Sequence, residues 1–278
     1  MIRTAYYAGS WYPSDPHALK SLVEDSIAQA THFDGAYRFA VLPHAGLFYS
    51  KDGIAPFFAS DFSAVRRVVI ISPSHYTNLG SNVLASAPLG GCETPLGTLK
   101  SENFSFADPR SFSAVQSEHA LEMVLPYIAT LSDPPAVSLA LFSHVSDAPH
   151  AHTMAKRLIS ELGETALREG HTVVVASSDF THYGPRFGYT PYRSQAHQRV
   201  KEDDLALSTM LSEGKIEEAY AFCVSHHSTV CGCSISMVVA SMALQIGAKG
   251  KVASYYTSTD ITHSPDPNFV AYSTILWS

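Results

Sequence analysis

The chain lacks any basic run. Its longest cluster of positive charge is the pair Arg66-Arg67, and 18 Lys and Arg stand against 25 Asp and Glu, a net charge of −7 with histidine neutral. Surfaces that bind nucleic acid or anionic membranes concentrate cations, so neither is expected as a partner. No stretch approaches the roughly 18 consecutive apolar residues needed to cross a bilayer, and Met1 to Tyr7 contain no apolar signal region. Cysteine is scarce: Cys92, Cys223, Cys231 and Cys233 are the four among 278 residues. That is too few for a disulfide scaffold, and Cys231 and Cys233 are too close to bridge each other easily, so a reducing, cytoplasmic compartment is expected. Walker-type and Gly-x-Gly-x-x-Gly loops are missing, which leaves nucleotide binding without support, and so is Gly-x-Ser-x-Gly. No repeat, low-complexity tract or linker divides the sequence. Residues 1–278 are therefore expected to form a single α/β domain, a mixed, mostly parallel sheet flanked by helices.

Histidine is plentiful. The 14 histidines nearly match the permanent cations in number, and neutral imidazoles are poor surface solubilisers, so several are expected to serve a site. Four apolar runs, among them the wholly β-branched 68–71, suit strands buried on both faces, and each ends in a polar loop bearing histidine. Residues 39–42 run into His44, 68–71 into His75, 137–142 into His144, and 172–176 into Asp179 and His182. Ligands of open α/β sheets bind beyond the carboxyl ends of strands. Further strands are expected at 81–87, 251–257 and 269–276. Helices are expected after an N-cap at Ser14 and over 51–60, 117–127, 147–162, 194–211 and 215–223, with a buried one over 234–246.

His44 and His75 follow consecutive strands, which are usually neighbours, so their imidazoles are candidates for one transition metal. Cys231 is the best third ligand, because it directly precedes the buried helix, where the dipole should lower a thiol pKa. Cys233 should point elsewhere, and Cys223 and Cys92 read as small apolar residues. Asp179 and His182, three apart, suit a carboxylate orienting a proton-transferring histidine. Glu118, His119 and Glu122 lie on one predicted helix, with the two glutamates on a shared face. His144 is a looser candidate.

The segments AGSWYP (8–13), PHAG (43–46), SPSHY (72–76), EHALEMVLPY (118–127), SSDFTHYG (177–184) and TVCG (229–232) occur in the order seen in the Memo family. The chain resembles that family, whose bacterial and archaeal members are called AmmeMemoRadiSam system protein B. The resemblance implies the fold of class III extradiol ring-cleaving dioxygenases, with metal-site residues at His44, His75 and Cys231. His182 matches the dioxygenase acid/base histidine. The metal implied is Fe(II), with copper or zinc as alternatives, and Tyr49, Ser74, Glu118, His119 and His227 are expected on the substrate side. The resemblance also implies a link to AMMECR-type and radical-SAM proteins. Leu47 and Lys51 depart from the family's usual Tyr and Gly, and Ser258-Thr259-Asp260 replaces a common Ser-Gly-Asp. Three readings follow: a redox enzyme, a non-enzymatic module holding a peptide or partner, and a zinc-dependent hydrolase.

Overall fold

In the computed structural model, which describes residues 1–33 and 35–278, one α/β domain is built on an eight-stranded mixed sheet. The elements in chain order are β1 (Ile2–Arg3), α1 (Pro16–Gln29), β2 (Phe39–Leu42), α2 (Leu47–Phe58), β3 (Arg67–Pro73), β4 (Leu84–Ala85), β5 (Gly91–Thr94) and β6 (Gly97–Leu99). Next come α3 (Phe112–Ser117), α4 (Leu125–Thr130), β7 (Ala136–Phe142), α5 (Ala148–Leu162), α6 (Glu164–Arg168), β8 (Thr172–Ser177) and β9 (His182–Tyr183). The chain closes with α7 (Ala196–Ser212), α8 (Ile216–Ser225), α9 (Cys233–Ile246), β10 (Gly250–Thr257), α10 (Ser258–Thr262) and β11 (Phe269–Trp277).

Strand order across the large sheet is β10-β11-β2-β8-β3-β7-β4, with β9 beside β11, and β1, β5 and β6 form a separate small sheet. The central strands β2, β8, β3 and β7 are parallel; β10, β11 and β4 run antiparallel to their neighbours. Alternation along the strands divides the core in two. Phe39, Val41, Val69, Ile71, Val174 and Ala176 face the cluster beneath α5 and α9. Ala40, Leu42, Val68, Ile70, Val173 and Val175 face the cluster beneath α1, α2 and α4. Both faces are covered, so the continuous apolar runs need no polar alternation.

Several expectations change. β2 and β3 are consecutive in sequence but not adjacent: β8 lies between them, pairing with both. His44 and His75 therefore flank the end of β8. The helix expected over 117–127 is broken. α3 ends at Ser117, Glu118 is extended (ψ 112°), and a 3-10 turn at His119–Leu121 precedes α4. The break turns both glutamates inward. The first helix is capped by the Asp15 side chain, which accepts from the Ala18 amide, and not by Ser14. Only Leu84–Ala85 of the expected 81–87 strand pairs, and β5 and β6 form a hairpin that turns at Thr94–Gly97. α2 starts at Leu47, earlier than expected. Finally, the sulfurs of Cys223 and Cys233 are paired, a contact not foreseen from the sequence, while Cys92 and Cys231 are free.

Candidate metal centre

Because β2, β3 and β8 are parallel, their carboxyl ends deliver three loops to one edge of the sheet. His44 leaves β2, His75 leaves β3, and Ser177 to His182 leave β8. The fourth contribution, Cys231, arrives on the loop before α9. Gly232 permits this approach. A Cβ there would lie 2.5 Å from the Ser178 Cβ and 2.7 Å from the Ser177 carbonyl oxygen, and the Gly232 amide donates to Ser178 Oγ (3.0 Å).

One ligand atom each from His44, His75 and Cys231 lie within 4.8 Å of one another. Cys231 Sγ is 3.2 Å from His44 Nε2, and the His44 and His75 ring centroids are 5.1 Å apart. The tautomers follow from the partners. Ser177 Oγ donates to the Ala120 carbonyl (2.7 Å) and so accepts from His44 Nδ1 (3.0 Å). Glu118 Oε1 lies 2.8 Å from His75 Nδ1, and its Oε2 accepts the His75 amide (2.7 Å). In both histidines Nδ1 is taken by the hydrogen-bond partner, which leaves Nε2 as the nitrogen a metal would use.

Electrostatics support the same assignment. Burial, with His75, His119 and His182 nearby, pushes His44 well below its ordinary pKa, so its ring is neutral. Burial alone would raise Glu118, but hydrogen bonds from His119 and His75 outweigh it and hold the carboxyl at about 2. The lowered pKa expected for Cys231 is reversed: burial and the nearby Asp179 push its thiol up. Cys231 precedes the N-cap Gly232 and does not stand inside the first turn of α9, so the helix dipole does not outweigh desolvation. A buried thiolate here requires a countercharge. Two imidazoles presenting Nε2 and such a thiol form a donor set that a soft or borderline cation fits.

His182 stands outside the 4.8 Å group. Its Nδ1 lies 3.0 Å from the Phe180 carbonyl, which can only accept, so Nε2 is the free proton acceptor. The expected orienting contact from Asp179 is absent among the described residues. Asp179 Oδ1 instead accepts the amides of His44 (2.7 Å) and Ala45 (3.2 Å), fixing the β2 loop. Burial raises the Asp179 pKa against the opposing charge of His182.

These groups open into a cavity of about 590 Å³, lined by Trp11, Phe48, Tyr49, Phe187 and Tyr272 around His44, His75, His119, Asp179 and His182, with Arg186 the one Lys or Arg among the described residues that line it. Of the expected substrate-side residues, Tyr49 and His119 line it, and Glu118 stands behind His75. Ser74 does not: its hydroxyl donates to the Thr77 carbonyl. His227 does not either, sitting exposed in a left-handed conformation (φ 47°) at the end of α8. His144 bonds Ser81 away from the cavity. A second trio, His75, Glu118 and His119, is also compact, but the Glu118 carboxylate already receives the His75 amide, the Ala120 amide and two imidazoles. It acts as an orienting group for His75. Ser177 and Glu118 in these orienting roles were not foreseen. A serine at a strand end carries no signal in one sequence, and the helical reading of 117–127 hid Glu118.

The fold and the cavity thus define a single-domain α/β protein with a compact histidine–cysteine site at the carboxyl ends of parallel strands. A sequence profile described as Memo-like protein matches residues 3–276, and the chain belongs to that family. Similar proteins include a MEMO1 family protein of Schizosaccharomyces pombe, 33% identical over 211 aligned positions covering 71% of this chain and 66% of that protein. A MEMO1 family protein of Pyrococcus furiosus is 29% identical with 99% of both chains covered. Protein MEMO1 of Mus musculus is 26% identical over 84% of this chain and 81% of its own.

Proposed function

We propose that this protein is a metal-dependent oxidoreductase with a mononuclear, non-haem site, in which His44, His75 and Cys231 hold Fe(II) or copper. The observation that carries the reading is the shared commitment of Nδ1. Ser177 and Glu118 occupy that nitrogen in His44 and His75, which leaves Nε2 for a metal in both; His44 Nε2 lies 3.2 Å from the Cys231 thiol, and ligand atoms of all three residues lie within 4.8 Å of one another. Hydrogen-bonded second-sphere partners of this kind raise ligand basicity and fix ring orientation. A redox metal held there would supply one-electron chemistry to a bound ligand. The chain's own residues do the rest. Trp11, Tyr49 and Tyr272 receive the ligand's apolar face and exclude water. His182, with Nδ1 held by Phe180, accepts a proton at Nε2 or returns it. Asp179 holds the His44 backbone in place and offsets positive charge when His182 is protonated. The dioxygenase-like ancestry and a cytoplasmic setting belong to this same proposal, as does association with AMMECR-type and radical-SAM proteins.

A thiol donor also suits zinc, and this keeps a hydrolytic reading as the second option. Metal content after anaerobic purification separates them. Stoichiometric iron or copper supports the redox reading, zinc alone supports hydrolysis, and a metal-free protein that still binds a peptide supports a non-enzymatic module.

A further inference from the structure

The segment from Arg3 to Tyr12 crosses beside the cavity and is gripped by one carboxylate. Glu122, fully buried, receives Arg3 Nη1 (2.6 Å) and the Tyr6 amide (3.2 Å) on Oε2. Its Oε1 accepts the Tyr7 amide (2.8 Å) and the Tyr12 hydroxyl (2.6 Å). Arg3 in turn donates to the carbonyls of Val115 (3.1 Å) and Glu118 (3.0 Å). The strap thereby presents Trp11 to the site. The indole centroid lies 4.5 Å from the His119 ring, and the Trp11 carbonyl accepts the Leu47 amide (2.9 Å) at the start of α2. Gly46 allows that approach, since a Cβ there would sit 3.1 Å from the Trp11 oxygen.

A buried ion pair contributes little net stability compared with apolar residues of the same shape. Four donors converging on one carboxylate do something apolar residues would not: they fix where a ten-residue strap lies. We propose that Glu122 is a positioning residue of the cavity, latching the N-terminal strap so that Trp11 is held over His119 as one wall of the pocket. The role of that wall in ligand binding rests on the metal-site reading above; the latch itself does not.

The test uses Trp277→Phe protein, in which Trp11 is the sole tryptophan because the chain has two. Adding Glu122→Gln is expected to shift Trp11 emission toward that of a solvated indole and to raise its quenching by acrylamide, with far-UV circular dichroism unchanged. Bound Co(II), the probe for the site, should quench Trp11 strongly with Glu122 and weakly without it, at equal cobalt content. Folded Glu122→Gln protein with unchanged emission and acrylamide access overturns the latch. If neither protein takes up cobalt, the metal-site reading fails while the emission measurement still decides the latch. Should Glu122→Gln fail to fold, the paired Arg3→Met, Glu122→Met variant removes both charges together and is judged by the same emission criterion.

Discussion

Replacing Glu118 by Gln keeps the size of the side chain and removes its charge. The carboxylate is buried, accepts the His75 and Ala120 amides, and faces His75 Nδ1 at 2.8 Å and His119 Nδ1 at 3.2 Å. Its pKa is lowered from 4.5 to about 2 by the His119 and His75 hydrogen bonds, working against burial. A depressed carboxylate contributes stability that is present above the unfolded pKa and is lost as pH falls through the folded one. The gap between 4.5 and about 2 corresponds to about 3 kcal/mol. Unfolding free energy measured by denaturant titration should therefore fall as wild-type protein is taken from pH 5 to about 2, and this limb should flatten in Glu118→Gln. At neutral pH the same variant should bind metal roughly 10–100-fold more weakly, because His75 loses the partner that fixes its tautomer and raises its basicity. Metal affinity by competition with a chromophoric chelator reads this directly. Unchanged affinity together with an unchanged acid limb would refute the orienting role.

Four further outcomes follow from the same geometry. His182→Ala should retain full metal content while His75→Ala loses it; equal loss in both would dissolve the division between ligands and proton carrier. Cys233→Ser should keep the metal, since Cys233 pairs with Cys223 and not with the site, and metal loss there would mean the wrong cysteine was assigned. Asp204, buried and accepting from Thr181 (2.6 Å) and Tyr255 (3.1 Å), is raised by burial to about 7. A raised carboxyl adds stability below the unfolded pKa that disappears as pH climbs through the folded one, so Asp204→Asn should remove up to about 4 kcal/mol of this loss between pH 4 and 7 in denaturant titrations. Gly232→Ala should destabilise the fold by about 1–3 kcal/mol and weaken metal binding, because the added methyl meets Ser178 and the Ser177 carbonyl; thermal melts at wild-type values would contradict this.

The central strands were readable because they are buried on both faces and end abruptly in Pro, Ser and His, a signal that composition and run length carry alone. The same property placed His44, His75 and His182 at strand ends. Strand order was not readable: nothing local records that β8 inserts between β2 and β3, since that is decided by which faces the crossover helices cover. The reading of 117–127 as one helix followed from its apolar spacing. The structure breaks it because Glu118 and Glu122 each gain several hydrogen-bond partners by turning inward, an advantage visible only once Arg3, His75 and the N-terminal strap are in place. Cys231 was found by its position before the buried helix, yet its thiol pKa moves opposite to the dipole argument, because enclosure between His44 and Asp179 outweighs the helix. The Cys223–Cys233 pairing escaped notice for a related reason: two helices must pack before the residues meet.

The most direct test of the central claim is the near-ultraviolet absorption of cobalt-loaded protein, with and without Cys231→Ser. Serine is nearly isosteric but its hydroxyl stays protonated near neutral pH and ligates soft or borderline metals poorly. If His44, His75 and Cys231 form the metal site, the wild-type protein shows a thiolate-to-cobalt charge-transfer band at one cobalt per chain, and Cys231→Ser, folded by circular dichroism, loses that band and most of its cobalt. A band that survives in Cys231→Ser, or cobalt bound at full stoichiometry with no charge-transfer band in the wild type, would contradict it.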